Sequence, residues 1–289
     1  MLATRVIVTR PAADAAHWVQ QLQQSGFEAE ALPLIEIASA SAGEDVAALK
    51  LVWQTLGSYA ACLFVSGNAV EHFFKQKRLV TRGGKAQAAT EMIANGASEQ
   101  QPSSLRFLAP GPGTVAALVA AGVPVDQIDA PSVEAPQFDS QALWAVVGSK
   151  NWQGQRVLIV RGQSESEGKS AAAPGRDWIA RQWQAAGATV DFVSVYQRRA
   201  PDLSHTQLQR AEAASADGSI LLFSSSEAIS NLVLQADLSA ARWHHARAVA
   251  THPRIADAAR SAGWGVVMES RPALQDIKCA LRSIESPHP

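Results

Sequence analysis

The stretch Arg5-Val-Ile-Val-Thr-Arg10 indicates the fold of this chain, because a close copy of it returns as Arg156-Val-Leu-Ile-Val-Arg161. Each copy is a short run of β-branched and aliphatic residues that ends in an arginine. An alanine-rich helical pattern comes later, and then a second extended segment, from Leu32 to Ile37 in the first half and from Val193 to Arg198 in the second. This alternation predicts α/β units with parallel sheets flanked by helices.

Two further pairs of segments repeat in the same order. Leu63-Phe-Val-Ser-Gly-Asn-Ala-Val70 returns as Leu222-Phe-Ser-Ser-Ser-Glu-Ala-Ile229, and Phe107-Leu-Ala-Pro-Gly-Pro112 is echoed weakly by Val249-Ala-Thr-His-Pro253. A duplication of this kind predicts two similar domains, and such domains usually hold their ligand in the cleft between them.

Composition narrows the class of protein. The chain has 289 residues, which is about the length of two domains, and 47% of them are hydrophobic, enough for two cores. A formal net charge of −1 provides no global field to recruit nucleic acid or a membrane surface. No apolar run approaches the roughly 20 residues that span a bilayer, and the N-terminus lacks the apolar core of a signal peptide. We therefore expect a cytoplasmic protein that binds neither nucleic acid nor membrane, and we expect a monomer.

The cysteines and histidines predict no disulfide and no metal centre. Cys62 and Cys279 lack metal-ligand spacing, so we expect two reduced, buried thiols. The histidines outside the turns also lack such spacing and are expected at the surface: His17, His205, His244 and His245.

The turns between strands and helices are the candidate binding residues. In parallel α/β sheets these turns gather at the carboxyl edge, where helix N-termini present free N–H groups to anions. The predicted turns come in two matched sets, which together could line one cleft with carboxylate-binding donors. The candidates are Arg10, Ser66, Gly67, Asn68, Gly113, Thr114, Arg161, Arg176, Ser224, Ser225, Ser226 and His252. Two stretches, 81–104 and 163–174, have the composition of inserted surface loops.

Two stretches resemble nucleotide-binding patterns. Gly162 to Ser170 resembles a phosphate-binding loop but has five residues between its glycines where the motif needs four. Gly111-Pro-Gly-Thr-Val-Ala116 fits the dinucleotide pattern, with Asp129 downstream as the acidic residue, although Pro112 stiffens the turn. A nucleotide-dependent enzyme that uses the Gly111 turn therefore remains one alternative, and a two-domain binding protein for an anionic metabolite is another.

Nearly end to end, the chain resembles the uroporphyrinogen-III synthase family. The segments that carry the resemblance are Val8-Thr-Arg-Pro11, Leu32-Pro-Leu-Ile-Glu36, Phe64-Val-Ser-Gly-Asn-Ala-Val70, Gly111 to Thr114, Val195-Tyr-Gln197 and Phe223-Ser-Ser-Ser-Glu-Ala228. The resemblance implies one discontinuous domain, 1–34 plus 200–289, and a second domain, 38–192. It also implies a two-stranded antiparallel hinge at about 32–37 and 193–198, with the active-site cleft between the domains. The residues alone would equally allow a simple split near residue 152.

The resemblance further implies a reaction, that of a cyclising hydro-lyase. Its substrate is hydroxymethylbilane, an open chain of four pyrroles with eight carboxylates, which loses water and closes with ring D inverted to give uroporphyrinogen III. The electron-rich pyrroles drive this chemistry, so no metal and no cofactor are expected. Tyr196 corresponds to a family tyrosine that assists departure of the hydroxyl, and Ser66, Thr114, Ser225 and Arg176 fall at carboxylate-binding positions. The chain departs from some relatives at Asn68 and at His252.

Overall fold

The computed structural model describes residues 5–39, 43–81, 105–164, 174–235 and 240–285. By its internal contacts the chain divides into two compact units. Unit 1 comprises Met1–Ile37 and Arg199–Pro289, and unit 2 comprises Ala38–Arg198. Both are built from strands that alternate with helices.

The strands are β1 (Arg5–Val8), β2 (Glu28–Ala31), β3 (Glu36–Ser39), β4 (Ala61–Phe64), β5 (Arg106–Leu108), β6 (Ile128–Asp129), β7 (Arg156–Ser164), β8 (Thr189–Arg199), β9 (Ile220–Phe223), β10 (Arg247–Ala250) and β11 (Val266–Glu269). The α-helices are α1 (Ala12–Gln24), α2 (Gly43–Thr55), α3 (Gly67–Thr81), α4 (Pro112–Ala120), α5 (Ser140–Val147), α6 (Pro174–Ala185), α7 (His205–Ala214), α8 (Ser226–Gln235), α9 (Pro253–Ser261) and α10 (Leu274–Glu285). No helix within the described ranges is long and apolar enough to cross a membrane.

The sheet of unit 1 runs in the order β11-β10-β9-β1-β2, and each pair of neighbouring strands is parallel. The centre of the sheet is buried on both faces, which explains the continuous apolar run in β1. Val6 and Val8 point into a core shared with α1 and α10, whereas Ile7 points into the opposite core, which contains Trp243. Because successive side chains of a strand point to opposite faces of the sheet, β1 contributes residues to both cores.

The sheet of unit 2 has the order β3-β8-β7-β4-β5-β6, and the pairings from β8 to β6 are parallel. On one face, Leu63 and Ile159 pack with Trp183 in a buried cluster. The other face is aromatic, and Phe64 there stacks against Phe107 with 6.2 Å between ring centroids. The predicted class, α/β with parallel sheets flanked by helices, is confirmed.

The predicted strand from Leu32 to Ile37 is wrong in its bounds. The structure has β2 before this segment and begins β3 only at Glu36. Pro33 explains the gap, because proline has no N–H to donate to a strand ladder. The neighbouring N–H groups bond elsewhere instead, that of Leu32 to Val8 O at 3.0 Å and that of Leu34 to Thr9 O at 3.2 Å. The predicted strand at 193–198 lies inside the longer β8. The hinge role of these strands stays a prediction.

The turn predicted at Arg161 is also wrong, because β7 continues to Ser164. Pairing with β8 persists across a β-bulge between Arg161 and Gly162, and Ser164 still pairs with Arg198. The first two residues of the predicted insertion 163–174 therefore belong to the strand, and 174 begins α6. Residues 165–173 lie outside the described residues, as does the stretch 81–104 beyond Thr81.

One cysteine prediction is confirmed and the other is wrong. Cys62 is a free thiol buried in β4, where burial raises its pKa well above the usual range. Cys279 is also a free thiol, but it lies on the exposed side of α10. The four histidines expected at the surface are all exposed.

Candidate active site

The sheet order of unit 2 places three predicted positions side by side. Strands β7, β4 and β5 are consecutive neighbours. Their parallel direction brings Arg161, the residue of β7 that follows its pairing with β4, to the same edge as Ser66 after β4 and Gly113 after β5. Carboxyl edges of parallel strands are where α/β proteins bind ligands.

Ser66 and Tyr196 are in direct contact. Ser66 Oγ lies 3.2 Å from the Tyr196 hydroxyl, and either oxygen can be the donor. Ser66 Oγ also accepts a hydrogen bond from the backbone N–H of Ala69 at 3.2 Å, in the first turn of α3. The serine therefore connects the start of a helix to the phenol.

The Tyr196 ring is buried, with 3% of the residue exposed. The β-bulge sets Tyr196 opposite Gly162. A Cβ added at Gly162 would overlap the Cε2 and Cζ atoms of the ring, so the phenol lies against the bare backbone of β7. The imidazole of His72 is a second neighbour, with 5.4 Å between ring centroids and 39° between ring planes. Sequence reasoning missed both neighbours, because the bulge that makes Gly162 face Tyr196 has no pattern in the sequence.

His72 is biased toward its neutral form. Burial lowers its pKa below the ordinary value, and the nearby Lys75 ammonium lowers it further, while Glu71 acts in the opposite direction. A neutral imidazole packs against an aromatic ring with less cost of desolvation than a charged one.

The first turns of α3 and α4 lie close together. A Cβ on Gly67 would be 3.7 Å from Gly113 O and 3.7 Å from Ala117 Cβ. Gly113 is exposed, whereas the side chain of Thr114 is buried. Asn68 is partly buried in the first turn of α3. Of the predicted residues at these two turns, Gly67 and Gly113 are brought together at two helix N-termini, where N–H groups favour an anion.

Arg161 lies over the face of Phe192, with Cζ 4.9 Å from the ring centroid. Within the described part of the chain its buried Nε has no hydrogen-bond partner. Phe192 itself is 41% exposed. Arg176 lies in the first turn of α6, and its side chain falls outside what the structure describes.

In unit 1 the turns after β1, β9 and β10 are neighbours for the same topological reason. Arg10 follows β1 and lies over the indole of Trp18, with Cζ 4.7 Å from the ring centroid. Burial lowers the pKa of Arg10, and the carboxylate of Asp14 partly offsets this. Its buried Nε finds no hydrogen-bond partner among the residues described. Trp18 was missed as a partner because eight positions separate it from the arginine in sequence.

The serines after β9 have separate roles. Ser225 Oγ accepts a hydrogen bond from the backbone N–H of Glu227 at 3.2 Å, at the start of α8. Ser226 Oγ is buried, with no hydrogen-bond partner in the described ranges. Ser224 is partly buried directly after the strand.

His252 caps the next helix of unit 1. Its Nδ1 accepts a hydrogen bond from the backbone N–H of Arg254 at 3.1 Å, and Pro253 occupies the first turn of α9. Both features are favourable at a helix start. The imidazole thus takes the position of the serine and threonine caps common at such turns.

The geometry of the Gly111 turn disfavours a dinucleotide. A Cβ on Gly111 would lie 3.1 Å from Phe138 Cβ, so the turn is closed by a neighbouring side chain on that side. Asp129, the acidic residue that would hold a ribose, is already paired with Arg106 and with Lys150, each at 2.6 Å. Burial raises the pKa of Asp129, but the hydrogen bonds from these two cations outweigh it and lower the pKa overall. Within the described residues, no group of three or more His, Cys, Asp or Glu side chains could hold a metal ion.

The structure is therefore an α/β protein of two units, each with a parallel sheet. In both units, small and polar residues occupy the turns between strands and the helices that follow them. Residues 16–277 match the sequence model of the family described as Uroporphyrinogen-III synthase HemD. Because that match spans most of the chain, the protein belongs to the uroporphyrinogen-III synthase family.

Solved structures show the same fold. A mutant uroporphyrinogen III synthase from Thermus thermophilus is 16% identical, with a TM-score of 0.54, and the match covers 97% of this chain and 100% of that one. Uroporphyrinogen-III synthetase from Helicobacter pylori is 14% identical, with a TM-score of 0.52 and coverage of 97% and 99%.

Proposed function

We propose that this protein converts hydroxymethylbilane into uroporphyrinogen III, as a hydroxymethylbilane hydro-lyase (cyclising) of tetrapyrrole (heme) biosynthesis. Family membership over residues 16–277 supports the reaction. The observation that carries the chemistry is the contact between the Tyr196 hydroxyl and Ser66 Oγ at the start of α3.

The hydrogen bonds at this contact are arranged so that the Tyr196 hydroxyl can act as an acid toward the leaving group. Ala69 N–H donates to Ser66 Oγ, which leaves the serine hydroxyl hydrogen free to point at the Tyr196 oxygen. In that arrangement the phenol hydrogen is free to donate to the hydroxyl of the substrate. Each donor polarises the next, which strengthens the final hydrogen bond. We assign Tyr196 as the catalytic residue and Ser66 as its partner.

The first step breaks the carbon–oxygen bond of the hydroxymethyl group. The lone pair of the adjacent pyrrole nitrogen expels the oxygen, which takes up a proton and leaves as water. The pyrrole nitrogen then loses its N–H proton, which balances the proton taken up by the oxygen, and the product is a neutral, electrophilic azafulvene. Tyr196 assists by hydrogen bonding to the departing oxygen, in the manner of a general acid.

Ring inversion follows from positioning. The last pyrrole attacks through its substituted carbon, and the resulting spiro intermediate fragments and closes again with ring D turned over. The protein must hold a flexible polyanion so that attack at the hindered carbon wins, which is catalysis by orientation. We propose that the carboxylates are held by Arg10, Ser224, Ser225, Ser226 and His252 of unit 1 and by Ser66, Gly67, Asn68, Gly113, Thr114, Arg161 and Arg176 of unit 2.

Supporting features of these residues differ in kind. Arg10 and Arg161 each have a buried Nε without a hydrogen-bond partner among the described residues, and each is stacked on an aromatic ring that fixes its direction. Gly67 and Gly113 lie at adjoining helix N-termini. Both kinds of group attract carboxylates without a metal.

The deciding experiment is an isomer assay. Purified protein is incubated with hydroxymethylbilane, the products are oxidised, and uroporphyrins I and III are separated by chromatography. Spontaneous closure gives isomer I, so we expect isomer III in excess only when the protein is present. Isomer I alone, together with saturable binding of the bilane, would instead identify a binding protein for an anionic metabolite.

We further propose that a single chain is active and that it works in the cytoplasm. An exposed free thiol at Cys279 suits a reducing compartment. Sedimentation equilibrium at the concentration of the isomer assay should give the mass of one chain, 30.6 kDa. A mass of twice that value would contradict the monomer.

A further inference from the structure

The Tyr196 ring occupies a slot with two sides of different chemistry. One side is the backbone of β7 at Gly162, the only kind of residue that leaves room for the ring there. The other is the His72 imidazole on α3. Neither residue lies among the expected carboxylate ligands, and the contacts of both are with the ring of Tyr196.

The bulge explains why the slot exists at this point. Up to Arg161 the two strands pair residue by residue, and Arg161 faces Ser194. At the next position Gly162 faces Tyr196, so one additional residue of β8 is accommodated. Bulges re-aim side chains and are common beside active sites. Here the bulge directs the tyrosine across its neighbouring strand, and only a glycine tolerates a ring in that place.

Helix α3 completes the arrangement. Ser66, directly before the helix, contacts the phenol oxygen and accepts a hydrogen bond from Ala69 N–H in the first turn. His72, one turn later, packs against the ring. Residues three and four apart lie on the same face of a helix, so Ala69 and His72 belong to one surface.

We propose that Gly162 and His72 are positioning residues that clamp the Tyr196 ring so that its hydroxyl stays on Ser66. The inference rests on the proposed function for its effect on turnover, whereas the clamp itself is a property of the free protein. Gly162 acts by the absence of a side chain, and His72 acts by ring contact rather than by charge.

The first test is kinetic. Gly162→Ala should lower kcat about 10-fold or more and leave KM within about twofold, because the acid is displaced while the carboxylate ligands remain. Gly57→Ala is the matched control, since a Cβ at this exposed glycine of unit 2 meets nothing within 4 Å. It should keep the kcat of the parent. A Gly162→Ala protein with unchanged kcat overturns the proposal.

A double-mutant cycle separates positioning from general damage. If Gly162 acts through the phenol, the Gly162→Ala/Tyr196→Phe protein should be no slower than Tyr196→Phe alone. Losses that multiply would show that Gly162 does not act through Tyr196.

For His72, replacement by Ala should lower kcat and replacement by Phe should restore it, because phenylalanine keeps the ring contact without a titrating nitrogen. Loss in both variants would overturn the packing role.

The second test needs no turnover. The chain has two tyrosines, so in a Tyr59→Phe background the signals of isotope-labelled tyrosine come from Tyr196 alone. A clamped ring should give separate NMR signals for its two edges. His72→Ala should merge them, Gly162→Ala should shift them, and Gly57→Ala should do neither. One averaged set of signals in the parent protein overturns the clamp. Resolved signals together with isomer I as the only product would overturn the proposed function and leave the clamp standing.

Discussion

At the scale of single residues, a substitution can separate the contribution of the Tyr196 hydroxyl to kcat from the contribution of its ring to stability. Tyr196→Phe keeps the buried ring and removes the hydroxyl that we propose as the donor to the leaving group. We expect kcat to fall about 10–100-fold, the low end of general acid catalysis, because the activated pyrrole already favours departure of the hydroxyl. The free energy of unfolding should change by less than about 1 kcal/mol. Steady-state kinetics and thermal unfolding check the two values.

The product of this variant should still be mainly isomer III, because orientation of the substrate is shared among many turns. Tyr59→Phe provides a matched loss of a phenol elsewhere in unit 2 and should leave kcat unchanged. Full activity of Tyr196→Phe would reduce the residue to a packing role.

The second tyrosine, Tyr59, leads to a prediction about stability at alkaline pH. Burial and the hydrogen bond to Asp191 raise its pKa from 10.0 to about 12. The folded protein therefore keeps this proton where the unfolded chain releases it, so the stabilisation is complete below pH 10 and is lost as the pH rises from 10 to about 12. Because Arg156 acts in the opposite direction and the Arg156–Asp191 pair is partly exposed to solvent, we expect a loss of about 1 kcal/mol. Urea unfolding across that pH range should show it in the parent and not in Tyr59→Phe, and an equal slope in both proteins would contradict the assignment.

At the scale of elements, helix α5 begins with a side-chain cap. Asp139 Oδ1 accepts hydrogen bonds from the backbone N–H groups of Gln141 and Ala142, at 3.0 Å and 2.9 Å. Asp139→Ala should lower the free energy of unfolding by about 1 kcal/mol, whereas Asp139→Asn keeps an acceptor and should cost much less. The isomer ratio should be that of the parent in both variants. Equal stability of the Ala and Asn variants in urea would show that the cap is not what holds the helix.

Elements differ in how well the sequence predicts them. The strands in the two repeated stretches were predictable, because apolar runs flanked by turns and helical patterns indicate buried strands whatever their neighbours. The boundaries at Pro33 and beyond Arg161 were not, because they depend on where N–H groups find acceptors and on pairing across a bulge. The turn at Ser66 was likewise predictable, while the contacts of Tyr196 with Gly162 and His72 depend on register between β7 and β8.

At the scale of the whole molecule, the division of the chain predicts which fragments fold. Unit 2 is continuous, so a protein of residues 38–198 should unfold cooperatively on its own. Unit 1 needs both of its pieces, and Glu36 and Arg199 at their inner ends form an ion pair at 2.6 Å. Residues 1–37 joined to 199–289 by a short Gly/Ser linker should therefore fold as well.

A cut after residue 152 is the control for this design. It separates β4 from β7, which pair along Ala61–Phe64 and Val157–Val160. Neither half should then show a cooperative thermal transition by circular dichroism. Cooperative unfolding of these halves, or its absence in the 38–198 protein, would contradict the division.

The position of β1 between β2 and β9 has a consequence for biosynthesis. This strand is made before the strands of unit 2, yet one of its two neighbours in the sheet is β9, at Ile220–Phe223. At about 5–20 residues per second, on the order of 10–40 s pass between the two. All strands of unit 2 leave the ribosome in that interval. The nascent chain therefore completes the strands of unit 2 before the sheet of unit 1, and Val6, Ile7 and Val8 lack their partner on one side until β9 has been made.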